Sequence, residues 1–298
     1  MKDIGIRIVG GLMTLFSKLP LGFHYFCGDF ISWYCEKVHR YRTNDIIINI
    51  SRAFPNIKYK QIKKISSDFY KHFGEIFAET IWFRGTNYKK LREKNICKIT
   101  NIEVLEKAYK NSPSVTLLSS HCGNWELLGG FLAYIPETDD SSFITKDDFY
   151  VVYKKLRSPM WDKIMKQNRR APIGEFDGEI ESNDILRLAI KNRGNKAIYI
   201  YINDQSPYKH KENIGIFLNQ ETKAMMGSIN LAHKLGMSIV YQGMKHIKRG
   251  RYEMTYTNIC NDASKEEPEV LIRKYFSLLE KDIIECPYNW LWSHRRWK

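Results

Sequence analysis

Apolar positions along the chain fall into a few patterns, and each predicts an element. Over residues 59 to 83, Ile62, Ile65, Phe69, Phe73, Ile76 and Thr80 share one helical stripe with the lysines mostly off it, which predicts an amphipathic helix covering a core. "SVTLLSS" (114 to 120) and "AIYIYIND" (197 to 204) are short apolar runs closing on polar residues, and both predict buried strands. "WELLGGFLAYI" continues the first run through a loop into a helix. "GSINLAHKLG" predicts a helix stopped by Gly236, and "MSIVYQGM" a third strand. "RYEMTYTNI" alternates apolar and polar residues, as an outer or edge strand does. Pro268 opens a last helix, with Leu271, Tyr275, Leu278 and Leu279 inward, that ends before Pro287. Strands alternating with helices predict an α/β fold: a layered mixed sheet flanked by helices.

The first 36 residues depart from these patterns. "IGIRIVGGLMTLFSKLPLGFHYFCGDFISWYC" is apolar and aromatic, but Arg7, Lys18, Pro20 and Asp29 interrupt it, so neither half gives the ~20 apolar residues of a clean spanning helix. The expectation is an N-terminal membrane-anchoring helical segment over 1–36, spanning or lying in the interface, ahead of one domain over 37–298. The alternative is a helix pair packed on a soluble core. Lys37, His39, Arg40 and Arg42 follow the segment, which places them on the cytoplasmic side. No small-residue cleavage site follows the apolar stretch, which argues against a removed signal peptide. Nothing resembling a linker, repeat or low-complexity tract divides the rest.

Charge narrows the partner. Lys and Arg outnumber Asp and Glu by 47 to 33, a net charge of +14, and aromatics make up 13% of the chain, so the partner is expected to be anionic and amphiphilic. Nucleic acid and membrane headgroups both carry such charge, but no RNP, KH or zinc-finger pattern is present, so no nucleic-acid partner is expected. The six cysteines form neither a CxxC pair nor a short secreted framework, which predicts free thiols in a reducing compartment.

Candidate chemistry concentrates in "SSHCGNWELLGG", residues 119 to 130. His121 has an acid, Glu126, five positions on, yet composition alone predicts about one such pair in the chain. A second pair does exist, His24 with Asp29, inside the apolar N-terminal segment. Context separates the two, because His121 follows a buried strand and precedes a helix, at the strand carboxyl end where open α/β sheets bind ligands. Along an unbroken helix the two side chains would point about 140° apart, so a non-helical connection through Gly123 is needed for them to meet. Asn124 is then the expected N-cap, with Glu126 in the first helical turn. A glutamate on one imidazole nitrogen leaves the other as a base. Cys122 as a nucleophile, a metal ligand set and a structural histidine are the competing readings. A metal site lacks a second nearby histidine, as in HExxH, and none is assigned.

Four blocks resemble the bacterial lipid A biosynthesis acyltransferases, the late lauroyl and myristoyl transferases, over nearly the whole chain. They are "NISRAFP" (49 to 55), "HCGNWE", "YINDQSP" with the later "GIF", and "PYNWLWSHRRWK" (287 to 298), the most specific. The resemblance implies a glycerolipid-acyltransferase-like fold. It implies transfer of a fatty acyl chain from acyl carrier protein to a hydroxyl of a lipid A precursor at the cytoplasmic face of the inner membrane, with neither metal nor enzyme-bound cofactor. An acyltransferase acting on an amino-acid lipid or glycolipid, or a catalytically dead membrane adaptor, is the alternative. Carried over, His121 is the general base and Glu126 its orienting acid, while Asn124 and Asp204 are substrate-binding. The family commonly has an arginine after the tyrosine of the segment matching "VVYKKLRSP"; here Lys154 stands there and Arg157 follows, so both are substrate-binding candidates. His294, Arg295 and Arg296 join them as anion contacts, beside Trp290, Trp292 and Trp297 as headgroup-level aromatics.

Overall fold

A computed structural model describes residues 2–135, 144–156, 158–174, 176–206 and 212–297. In chain order its elements are α1 (Lys2–Phe16), α2 (Leu21–Trp33), α3 (Thr43–Ala53), α4 (Tyr59–Arg84), α5 (Tyr88–Lys94), β1 (Cys97–Ile99), α6 (Ile102–Asn111), β2 (Val115–Ser119), α7 (Phe131–Tyr134), β3 (Phe149–Tyr153) and α8 (Pro159–Arg170). They continue with β4 (Glu179–Glu181), α9 (Ile185–Lys191), β5 (Ile198–Ile202), β6 (Glu212–Phe217), β7 (Gln220–Ala224), α10 (Gly227–Leu235), β8 (Ser238–Lys248), β9 (Arg251–Cys260) and α11 (Pro268–Glu285).

Seven strands form one sheet in the order β1-β9-β8-β2-β5-β3-β4, and β6 and β7 form a separate hairpin. Every pairing in the large sheet is parallel except β8 with β9. Parallel strands connected through helices are covered on both faces, which is why β2 and β5 read as unbroken apolar runs. Alternate residues of β2 serve opposite layers. Leu118 belongs to the same core as Ile50 of α3, Ile229 of α10 and Leu271 of α11, whereas Leu117 belongs to the core that holds Leu91 of α5 and Leu105 of α6. The segment expected at a sheet edge, β9, lies instead between β1 and β8. Its alternation reflects two unequally covered faces rather than an open edge.

Helix α4 joins the two layers, with Phe69 and Tyr70 in one core and Trp82 and Phe83 in the other. Helix α2 lies along α4 at a glycine crossing, where a Cβ on Gly28 would stand 2.4 Å from the Gly74 carbonyl oxygen. The buried stripe of α2 is therefore polar or small, His24, Gly28 and Ser32. Its apolar residues face outward: Phe26 is 72% exposed, Phe30 61% and Trp33 52%. Among the described residues no helix is long and apolar enough to cross a membrane. A spanning anchor over residues 1–36 is thus unsupported, because Pro20 divides the stretch into two short helices. The C-terminal tryptophans depart from the expected headgroup position as well. Trp290 and Trp292 are 2% and 0% exposed, with rings 4.9 Å apart in a T-shaped pair inside the first core.

Candidate active site

The pairing register decides which residues meet. Ser119 at the end of β2 lies opposite Ile202 at the end of β5, so two residues further along each strand His121 and Asp204 are neighbours. His121 Nδ1 stands 2.6 Å from Asp204 Oδ1, and the backbone N–H of His121 donates to Oδ2 at 3.0 Å. Trp290 Nε1 donates to the same Oδ2 at 2.8 Å, which ties the C-terminal block to the site. A carboxylate only accepts, so Nδ1 of a neutral His121 carries the proton and Nε2 the lone pair. The Gln205 side-chain amide nitrogen, 3.2 Å from Nε2, donates to that lone pair and agrees with the tautomer. Burial alone would raise the Asp204 pKa, but the facing His121, its two hydrogen bonds and the Trp290 donor hold the carboxyl below its usual range.

Glu126, expected on the imidazole, is elsewhere. It receives Arg169 Nε at 2.9 Å and Arg169 Nη2 at 3.0 Å, a two-pronged ion pair with the end of α8. Residues 125 to 130 form a 3-10 helix, which leaves Glu126 beside His121 along the cavity wall rather than folded back onto it. The expected N-cap at Asn124 is present, its Oδ1 accepting from the Glu126 N–H at 3.2 Å. Asn124 Nδ2 donates to buried Glu79 at 2.8 Å, and Glu79 also accepts from Tyr25 and Tyr252. Both ends of this amide are thus engaged in holding the loop, an arrangement that does not favour the expected substrate contact. Gly123 supplies the turn at φ +64°, where a Cβ would meet Met244 at 2.6 Å.

Beside His121 opens a cavity of about 660 Å³. Trp125, Leu128, Phe131, Phe149, Ile173, Phe176 and Ile200 give it apolar walls; His121, Glu126, Arg169 and Gln205 contribute polar groups, and exposed Lys154 and Lys155 form part of its rim. A partly exposed histidine in the right tautomer, held by a buried carboxylate beside an apolar chamber, suits proton removal from one reactant while the chamber holds the apolar chain of another. The family model described as bacterial lipid A biosynthesis acyltransferase matches residues 2–298. The chain belongs to that family. No curated protein matches the chain.

For this acyltransferase, the remaining expected contacts divide. His294 and Arg296 lie close enough to Asp204 to feel its charge. Burial lowers the His294 pKa to about 4 and that of Arg296 to about 10. Arg296 Nε and Nη2, and His294 Nδ1, have no hydrogen-bond partner among the described residues. Arg295 instead pairs with Asp45 of α3 at 2.8 Å on the exposed side. Lys154 stands on the cavity rim, and Arg157 lies outside the described residues. Cys122 is 1% exposed and burial pushes its thiol well above the usual range, which disfavours a thiolate nucleophile. The pair His24 and Asp29 does not form; Asp29 bonds Arg249 instead. Arg169 and Gln205 went unrecognised in the sequence. Arg169 carried a faint signal as one of two arginines ending an amphipathic helix, while Gln205 carried only its place beside Asp204.

Proposed function

We propose that the chain is a membrane-associated O-acyltransferase that moves a fatty acyl chain from acyl carrier protein to a hydroxyl of a lipid A precursor. His121 is the general base and Asp204 the group that orients it. The supporting observation is the placement of His121 Nε2 beside the apolar cavity while Nδ1 is held by buried Asp204. In this reaction Nε2 takes the acceptor hydroxyl proton as the oxygen attacks the thioester carbonyl. The C–S bond then breaks, and the imidazolium returns the proton to the departing thiolate. General base catalysis of this kind contributes about 10²–10⁴-fold. The cavity holds the acyl chain, and Arg169, steadied by Glu126, supplies positive charge at its polar end. Glu126 thereby acts through Arg169 and not through the imidazole.

Basic residues favour an anionic lipid acceptor and an acidic carrier. Lys154 and Lys155 on the rim, Arg157 nearby in sequence, and the overall charge of +14 support that preference. Attachment to the cytoplasmic face of the inner membrane is carried by the outward aromatic face of α2 together with Leu12 and Leu15 of α1, which are 62% and 68% exposed. Helices with an apolar face of this kind lie in the interface plane.

The test is mass spectrometry of lipids after expression in a bacterium deficient in late lipid A acylation, with wild type and His121→Ala in parallel. One added acyl chain on lipid A with wild type alone is the expected result. An acyl chain added instead to an amino-acid lipid or glycolipid would change the acceptor and keep the chemistry. Equal products from both well-expressed proteins would overturn the role of His121.

A further inference from the structure

Behind the His121 loop a second cluster of imidazoles and carboxylate is buried where the proposed reaction does not reach. His72 and Glu75 lie one turn apart on α4, and His246 faces them from β8. One ligand-type atom from each, His72 Nδ1, Glu75 Oε2 and His246 Nε2, lies within 4.8 Å of the other two. His246 Nε2 and Glu75 Oε2 are 3.2 Å apart, His72 Nδ1 and Glu75 Oε2 are 3.8 Å apart, and the imidazole centroids are 4.4 Å apart. All three residues are less than 10% exposed, and beyond their approach to one another these three atoms have no hydrogen-bond partner among the described residues.

The outer contacts fix what those atoms present to each other. His72 Nε2 is 3.2 Å from the Gly123 carbonyl oxygen, which only accepts, so this nitrogen carries the proton. With the proton on Nε2, the lone pair of a neutral His72 ring is on Nδ1. Its Nδ1 therefore points a lone pair toward the lone pairs of Glu75 Oε2. His246 Nδ1 is engaged by the Tyr288 hydroxyl at 3.2 Å, leaving Nε2 as the inward nitrogen. Glu75 Oε1 accepts from Arg249 Nε at 2.8 Å, so Oε2 is its inward oxygen. The lone pairs of His72 Nδ1 and Glu75 Oε2 face each other at 3.8 Å in a buried space and ask for a cation between them, and His246 Nε2, 3.2 Å from the same oxygen, joins them as a ligand on giving up its proton.

We propose that His72, Glu75 and His246 bind one divalent transition-metal ion of the zinc class, which pins α4 to β8 behind the His121 loop. Two imidazoles and one carboxylate are a zinc-type donor set, with remaining coordination positions open to water. Tetrahedral ligands at about 2.0–2.1 Å from zinc stand roughly 3.3 Å from one another, so side-chain rotations of about one ångström complete the set. Metal-bound histidines usually give their other nitrogen to a carbonyl or similar partner, as His72 does to Gly123 and His246 to Tyr288. Through that carbonyl the ion reaches the turn that carries His121. The inference is independent of the acyl-transfer reaction, and its test reads metal binding.

The full chain, stripped by a chelator and dialysed, is titrated with zinc against a chromophoric indicator, beside His246→Gln, Glu75→Gln and His72→Gln. Wild type is expected to take up one equivalent with micromolar or tighter affinity, and the variants to bind at least about 10–100-fold more weakly. Zinc should raise the melting temperature of wild type and not that of the variants. The X-ray absorption edge of loaded wild type is expected to show two imidazole nitrogens and carboxylate oxygen. Absence of stoichiometric uptake by wild type, undiminished uptake by the folded variants, or a ligand shell without histidine would each overturn the site.

Discussion

Replacing Asp204 by Asn separates the two acids that compete for the role of orienting His121. Two donors, the His121 N–H at 3.0 Å and Trp290 Nε1 at 2.8 Å, converge on Oδ2. In the variant the amide oxygen stays with those donors, so the amide NH₂ takes the place of Oδ1, 2.6 Å from His121 Nδ1 in the wild type. Nδ1 must then accept, the proton moves to Nε2, and the base loses its lone pair toward substrate. The variant also loses the charge that stabilises the imidazolium formed during attack. At a charge separation of about 4 Å and an effective dielectric near 20, that is ~4 kcal/mol. The corresponding loss is about 10³-fold in kcat. A comparable substitution in a Ser-His-Asp triad removes ~10⁴-fold by the same tautomer change. The assay is acyl transfer from purified acyl carrier protein thioester to a lipid acceptor, with melting temperature recorded to show that the fold persists. Glu126→Gln should lose activity through the released Arg169 while the pH dependence of kcat keeps its acid limb. A folded Asp204→Asn enzyme within tenfold of wild type would refute the assignment, and a shifted acid limb in Glu126→Gln would return the role to Glu126.

Other consequences are direct. Cys122→Ala should retain most activity, because a buried protonated thiol is only a small packed group; loss of turnover in a folded variant would bring back a covalent cysteine mechanism. The His294 pKa is lowered to about 4 in the fold, against ~6.5 when unfolded, so between these values the unfolded chain binds more protons and stability rises with pH. Denaturation at pH 7 and pH 4.5 should thus show a larger acid-side loss for wild type than for His294→Gln, and equal losses would remove His294 as a source. Phe26→Ser with Phe30→Ser should weaken sedimentation with anionic vesicles by at least about tenfold, since each exposed phenyl buries ~1.5–3 kcal/mol of apolar surface. Unchanged partitioning would place membrane contact elsewhere.

Much of the architecture was legible from local pattern. The helical stripe from Ile62 to Thr80, the runs "SVTLLSS" and "AIYIYIND", and the stop at Gly236 all reappear as α4, β2, β5 and the left-handed cap of α10 at φ +61°. Gly123, the N-cap at Asn124 and the neighbourhood of His121 were equally open to reading, because turn and cap chemistry act within a few residues. The inward fate of the C-terminal tryptophans was not. A cluster of aromatics and cations has the same composition on a membrane surface and in a core, and only the packing around Phe217 and Phe276 distinguishes them.

Sequence by itself determined the longest helices and the central strands, the basic character of the chain and the place of His121 at a strand end, since hydrophobic period, charge and short-range turn chemistry are written residue by residue. Tertiary structure decided the partners. His121 and Glu126 are five apart in the chain and pair with different residues; His121 and Asp204 are 83 apart and share a hydrogen bond because β2 and β5 lie side by side in register. The same holds for Glu126 with Arg169, 43 residues on, and for His72 with His246. Register and crossing are set by the sum of many core contacts, and no window of sequence around one residue contains that sum.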